Sequence, residues 1–385
     1  MNSLSLYVHW PFCRSKCPYC DFASRVMPGS LDEELWAQAY LRALEDQAAK
    51  FKDRPLRSIY FGGGTPSLMA PSFLARLLDK ITALWPLRDN CEITLEANPA
   101  SSARDVFESF KLAGINRLSL GVQSLDDRVL SFLGRAHDAK TALEALDAAA
   151  QIFPRYSFDL IYGYAGHSLP DWRAQLRQAL ALKPPHLSLY QLTVEPDTVF
   201  GKRQAKGEKL TVDDEQAAYL YEITQDLTEA FGLPSYEVSN HAKPWQESRH
   251  NLTYWHYDDY LGIGPGAHGR LKQDDDWLAY ENEKKPELWL SLLDGPSKGV
   301  SHSELLPAVT AQKEALMMGL RLRRGINKGA WERKFAHPVK ETLAKEKIES
   351  LIAQGLWEEN TTHIRLSAAG RQRLNAVLHY LLFAP

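Results

Sequence analysis

Three of the chain's four cysteines lie within one eight-residue stretch, as Cys13-x-x-x-Cys17-x-x-Cys20. Such crowding does not suit a disulfide framework in a protein of 385 residues, and it reads as metal chemistry. Two metal centres take thiolates at this spacing. A structural zinc site needs four ligands, usually as two pairs; there is no second cysteine pair, although His9 could complete a Cys3His set. A four-iron cluster held by three cysteines leaves one iron open to an outside ligand, which makes a reaction site. Spacing alone leaves both open. Cys91 stands apart, before the alternating Glu92-Ile-Thr-Leu-Glu96, and reads as a small buried apolar residue.

Further candidates follow along the chain. Ile59-Tyr-Phe-Gly62-Gly63-Gly64-Thr65-Pro66 is either a plain tight turn or a place where a ligand approaches bare backbone. In Glu92-Ile-Thr-Leu-Glu96-Ala-Asn98, period-2 alternation sets Glu92, Thr94 and Glu96 on one strand face. Carboxylates facing an interior are costly unless they bind something. Gln123 in Gly121-Val-Gln123-Ser124, Arg135 in Leu133-Gly-Arg135, and Asp159 in Phe158-Asp159-Leu160 are ordinary polar residues when each is taken alone. His250-Asn-Leu-Thr-Tyr254-Trp255 puts an imidazole beside two aromatics, a set that could flank a flat macrocycle and ligate its iron, or simply hold a satisfied structural histidine.

The elements that would position these residues can be read from hydrophobic period. Short apolar runs at Leu4–His9, Ser58–Phe61, Glu92–Glu96, Arg117–Gly121, Tyr156–Ile161 and His186–Leu192 alternate with helical windows at Leu31–Ala49, Pro71–Leu84, Asp105–Ala113, Ala139–Ile152 and Pro170–Leu182. Six β-α units are too few for a closed eight-stranded barrel. The expectation is an α/β fold, an open partial (β/α)6 barrel resembling a TIM barrel, with ligands at the carboxyl ends of its strands. The candidates named above lie in or beside these strands, except Arg135, which follows a short helix, and the His250 segment.

The spacing of the cysteines, their place after the first strand, and the aromatic in Cys17-Pro-Tyr19-Cys20 resemble the radical S-adenosylmethionine (SAM) superfamily. That resemblance implies a 4Fe-4S cluster on Cys13, Cys17 and Cys20, with SAM on the open iron. The glycine run, Gly63, Gly64 and Thr65, is similar to the family's motif for the SAM amino group. With Tyr7, the residues Glu96, Gln123, Arg135 and Asp159 match SAM-binding positions in the subfamily that contains oxygen-independent coproporphyrinogen III oxidase, where they imply contacts to the ribose, adenine and carboxylate of SAM. Two departures stand out. Relatives usually continue Tyr-Gly-Leu-Pro-Gly where this chain has Tyr162-Gly-Tyr-Ala-Gly-His-Ser168, and the oxidases usually carry a further Cys where this chain has Asp21-Phe22. The second departure, with a segment similar to the HNxxYW motif of the family's heme chaperones, implies a protein that binds heme through His250 and passes it to apo-hemoproteins, membrane-bound respiratory proteins among them. His256, His241 and His268 compete for the ligand role. Oxidative decarboxylation of coproporphyrinogen III is the alternative activity.

Composition sets the outer bounds. With 44% apolar and 24% charged residues the chain is an ordinary globular one, and 45 basic against 48 acidic residues give no electrostatic reason to bind nucleic acid. A zinc-stabilised nucleic-acid-binding module is therefore the weakest reading. No apolar run approaches 18 residues, and the N-terminus lacks the basic and apolar regions of a secretory signal, so the expectation is a cytoplasmic protein, at most peripheral at the inner face of a membrane. Residues 1–240 read as the barrel and 241–300 as the histidine motif plus a linker, with a polar junction through Lys272–Pro286. Residues 301–385 read as a small α+β, winged-helix-like domain. In it, windows at Thr310–Arg324 and Val339–Gln354 precede a hairpin ending His363–Leu366 and a helix over Ala368–Leu382.

Overall fold

All six expected strands form, and they pair in parallel in chain order. They are β1 (Leu4–Trp10), β2 (Leu56–Gly63), β3 (Leu87–Ala97), β4 (Arg117–Gln123), β5 (Arg155–Tyr162) and β6 (His186–Gln191). The structure, a computed structural model, describes residues 3–101 and 103–383. Five long helices pack outside: α1 (Glu33–Phe51), α2 (Pro71–Leu84), α3 (Arg104–Leu112), α5 (Ala139–Ile152) and α6 (Leu169–Ala181), with a short α4 (Asp127–Phe132) preceding α5. Each start is legible in sequence terms where a cap exists. Asp32, Asp138 and Ser168 accept from the third amide of α1, α5 and α6 respectively.

The sheet runs further than its hydrophobic pattern showed. On the β6 edge it gains the antiparallel β7 (Asn240–Ala242), after two unforeseen helices, α7 (Val199–Gln204) and α8 (Asp214–Ala230). On the β1 edge it gains the parallel β8 (Tyr260–Ile263), then β9 (His268–Gln273), β10 (Asp276–Asn282) and β11 (Val300–Leu306), for eleven strands in all. The polar stretch expected as a junction is thus a hairpin whose charged residues face solvent on an edge, where alternation with buried Leu271, Trp277 and Ala279 was masked by the Asp-rich turn. The chain leaves the main sheet only after Leu306.

Beyond it lie α11 (Ala308–Gly319), α12 (Lys328–Phe335), α13 (Lys345–Ala353), and a three-stranded antiparallel sheet of β12 (Ile326–Asn327), β14 (His363–Leu366) and β13 (Trp357–Glu359). The short α10 (Pro286–Leu292) sits between β10 and β11. The expected Val339–Gln354 helix is divided into a 3-10 turn, Val339–Thr342, and α13, and the final window breaks at Arg373 into α14 (Ala368–Gln372) and α15 (Leu374–Leu382). This unit does not stand free: its apolar core takes in Tyr257, Trp277 and Ala279 from the barrel side, and Glu314 of α11 accepts two bonds of 2.9 Å from the Arg270 guanidinium on β9.

Candidate functional site

At the carboxyl ends of the barrel strands, the cysteine loop and the strand-end residues surround a cavity of about 450 Å³. The glycine run shapes one wall. Gly63 adopts φ +112°, and a Cβ there would sit 2.5 Å from His9 Cε1; on Gly64 it would sit 2.6 Å from the Phe12 carbonyl oxygen. Only glycine fits at either position. That closeness has a purpose in the fold: the amides of Gly64 and Thr65 donate to the carbonyls of Trp10 and Phe12, so the glycine turn clamps the chain just as it enters Cys13. From the other side His9 donates through Nε2 to the Ala23 carbonyl at 3.0 Å and accepts from the Tyr7 hydroxyl at 2.9 Å through Nδ1. Both ring nitrogens are used. His9 therefore tethers the two ends of the cysteine loop, and a Cys3His zinc set built on it is not what the structure presents.

The three cysteines are half-buried in this loop, and burial pushes the Cys13 and Cys20 thiols above their ordinary range. Any metal that binds them must displace those protons. Among the described residues no three His, Cys, Asp or Glu side chains converge as they would around a single ion. Cys91 lies in β3 and is buried, as its isolation suggested.

Around the cavity the strand-end residues divide into tied and untied atoms. Glu96, at the end of β3, accepts from the Tyr60 hydroxyl at 2.7 Å and from the Gly63 amide at 3.1 Å. Burial, with a smaller push from the neighbouring Asp159, lifts its carboxyl to about 7. Asp159, inside β5, is pushed up to about 6 by burial. Gln123 reaches the cavity because the chain breaks register between Leu120 and Gln123, where Gln123 takes φ +70°. A bulge with a left-handed non-glycine residue is strained backbone, and here it re-aims one side chain at the end of β4. Arg135, just after α4, donates from Nη2 to the Gly121 carbonyl at 2.7 Å and points Nη1 at Cys17 Sγ, 3.3 Å away.

Among the described residues, Gln123 Oε1, Arg135 Nε and Asp159 Oδ1 are buried on this cavity without a hydrogen-bond partner, as are Ser24 Oγ and His186 Nδ1. Buried polar groups are almost always paired, so an acceptor, a donor and a carboxylate oxygen left open on one cavity describe a ligand with complementary groups. SAM fits that description through its amino acid end, its ribose hydroxyls and its adenine. The three thiols at the rim fit a cluster with one iron facing the same space.

The structure places every expected SAM residue at this cavity except Tyr7, which lies behind it and lines an adjoining cleft that shares Gly63 and Glu96. His250 is placed elsewhere. It opens the short helix α9 (Arg249–Trp255), which plugs the barrel at the opposite end from the cysteines, and it is 1% exposed. Ser58 donates to Ser5 at 2.8 Å, so the His250 Nδ1–H donates to Ser58 at 2.9 Å and Nε2 accepts from the Tyr254 hydroxyl at 2.8 Å. Its amide donates to Glu92, a buried carboxylate paired with Arg155 at 2.7 Å, and its ring stacks on Tyr60 at 4.8 Å. Both ring nitrogens of His250 are thus engaged within the protein, one toward Ser58 and the other toward Tyr254. His241 is likewise buried, whereas His256 and His268 are exposed.

Sequence reasoning passed over Tyr60, which links His250 below to Glu96 above, and the Glu92-Arg117-Arg155 cluster that anchors α9. Tyr60 was visible only as the residue facing inward two positions before Gly62. The variant loop at Tyr162–Ser168 is closed by His167, which stacks on Tyr164 at 4.0 Å and accepts from the Gly163 amide at 3.1 Å.

Comparison with known proteins places this geometry. A family model described as the radical SAM superfamily matches residues 7–178, and one described as the HemN C-terminal domain matches 307–373. The heme chaperone HemW of Haemophilus influenzae is 35% identical over 385 residues, covering 98% of each chain. The heme chaperone HemW of Escherichia coli K12 is 42% identical over 273 residues, 71% of each chain. The solved structure of the Escherichia coli coproporphyrinogen III oxidase HemN superposes with a TM-score of 0.84 at 21% identity, over 98% of this chain and 90% of that one, which is a likeness of fold.

Proposed function

The chain belongs to the heme chaperone HemW family of radical SAM proteins, and from that premise we propose that it binds heme, a 4Fe-4S cluster and SAM, and transfers heme to hemoproteins. The cofactor part is carried by one observation, the unpartnered polar atoms, those of Gln123, Arg135 and Asp159 among them, that meet at the cavity beside three thiols. Cys13, Cys17 and Cys20 hold the cluster, which supplies an open iron and an electron. Gly63, Gly64 and Thr65 offer backbone to the amino acid end of SAM. Gln123 Oε1, Arg135 Nε and Asp159 Oδ1 supply the acceptor, cation and carboxylate that its remaining groups lack in the free protein, and Glu96 presents a carboxylate toward a cationic ligand. Tyr7 acts one step removed, by fixing the His9 tether of the cysteine loop.

Recipients are apo-hemoproteins, membrane-bound respiratory proteins among them, and the protein works from the cytoplasm. Among the described residues no helix is long and apolar enough to cross a membrane. The test is anaerobic purification with iron, sulfide and zinc analysis, followed by heme titration and transfer to an apo-hemoprotein. About four iron and four sulfide per chain and one heme are expected; stoichiometric zinc, or no heme binding, refutes the reading.

A further inference from the structure

Next to the SAM cavity lies a second cleft of about 510 Å³, within the size range of small-molecule sites. Its walls are aromatic: Tyr254 and Tyr260, packed edge to face at 4.7 Å, and Phe22, which is 58% exposed immediately beyond the cysteine loop. An apolar ring left that open beside a cofactor site is a wall waiting for a flat partner. At the mouth stands His268, at the start of β9, exposed and with only a loose 3.6 Å approach of Nε2 to Glu281. Lys284 sits beside it, 2.8 Å from the same Glu281 in a solvent-exposed pair that a ligand carboxylate can replace at little cost. Glu96 at the buried side and the exposed Asp21 both line the cleft and disfavour anions beside them, so a ligand with acidic arms must point them toward Lys284.

We propose that the heme cargo binds in this second cleft, with His268 as the axial ligand to iron and Lys284 pairing with a propionate. The inference rests on the heme-carrier reading above and assigns the iron to a histidine whose ring the protein leaves open, where both nitrogens of His250 have protein partners. It also gives the HNxxYW segment a part: His250 accepts from Tyr254 and holds that ring as a wall of the cleft, so the motif reaches heme through its tyrosine. His256 is the weaker candidate. It opens on a different cleft, at the C-terminal unit, where Trp255 is already covered by Arg321 at 4.5 Å and Trp277 by Lys272 at 5.1 Å.

The test is a heme titration of cluster-loaded protein, followed as a difference spectrum against the same protein without heme. His268→Ala should bind heme at least tenfold more weakly with a displaced Soret band, while iron content and SAM affinity stay at wild-type values. His268→Met should keep tight binding with a changed spectrum, and Lys284→Glu should weaken binding without moving the band. Wild-type affinity and spectrum in His268→Ala overturn this site, as does a loss confined to His256→Ala. Wild-type protein that takes up no heme sinks the carrier reading itself, a separate outcome.

Discussion

Glu96 should make SAM binding depend on pH across the neutral range. Its carboxyl is buried under Tyr60 and beside Asp159, which moves it from 4.5 to about 7. A raised carboxyl is neutral through the acid range and becomes an anion only as pH climbs past 7. SAM carries a sulfonium, and in a closed cavity a carboxylate is worth more to that cation than a carboxylic acid. With binding confined to the ionised form, the competent fraction rises from about 3% at pH 5.5 to about 76% at pH 7.5, so apparent affinity should rise about 25-fold, or about 2 kcal/mol. Asp159, at about 6, adds about fourfold in the same direction over that window. Calorimetric titration of SAM into cluster-loaded wild type and Glu96→Gln at the two pH values decides the matter, with iron content measured at both. The variant should retain only the fourfold part. A wild-type affinity that is flat or falls with pH, or an equal rise in Glu96→Gln, would refute the reasoning.

Other expected outcomes follow from the same geometry. Cys13→Ala, Cys17→Ala and Cys20→Ala should each abolish cluster assembly, whereas Cys91→Ser should leave iron and sulfide per chain unchanged by chemical assay, since Cys91 is buried in β3 away from the loop. Gly64→Ala drives a Cβ to within 2.6 Å of the Phe12 carbonyl and should prevent stable cluster incorporation even though every cysteine remains; normal iron content there contradicts the clamp. Arg135→Ala removes a charged donor and should weaken SAM by about 1.5–3 kcal/mol, roughly 10- to 150-fold, measured by calorimetry. His250→Ala removes the ring under Tyr60 and should lower SAM affinity and thermal stability together, while bound heme keeps an imidazole-ligated spectrum; disappearance of that signature would make His250 the ligand.

The barrel was legible because its strands are buried on both faces and its helices are amphipathic, so period alone separated them. The cysteine loop and strand-end residues were legible because barrel chemistry gathers at one end, and all the matched positions but Tyr7 line one cavity. Edge strands were not. β8 is only four residues long, β11 is exposed along nearly its whole length, β9 and β10 alternate buried with exposed residues, and the Asp274-Asp-Asp276 turn between them looked like a linker. His250 illustrates the deeper limit. An imidazole flanked by aromatics has the same sequence appearance whatever it faces, and the Ser58-Ser5 hydroxyl chain beside His250 appears only once β1 and β2 are brought together. His268 carried no motif and was marked only as one histidine after a glycine-rich segment.

The central claim is that this chain holds heme as cargo and does not convert a porphyrinogen. Cluster-loaded protein with SAM, under anaerobic reducing conditions, should bind one heme per chain, pass it to an apo-hemoprotein added in equal amount, and form no protoporphyrinogen from coproporphyrinogen III. Catalytic release of carbon dioxide with protoporphyrinogen formation, in protein that neither binds nor transfers heme, would contradict the account.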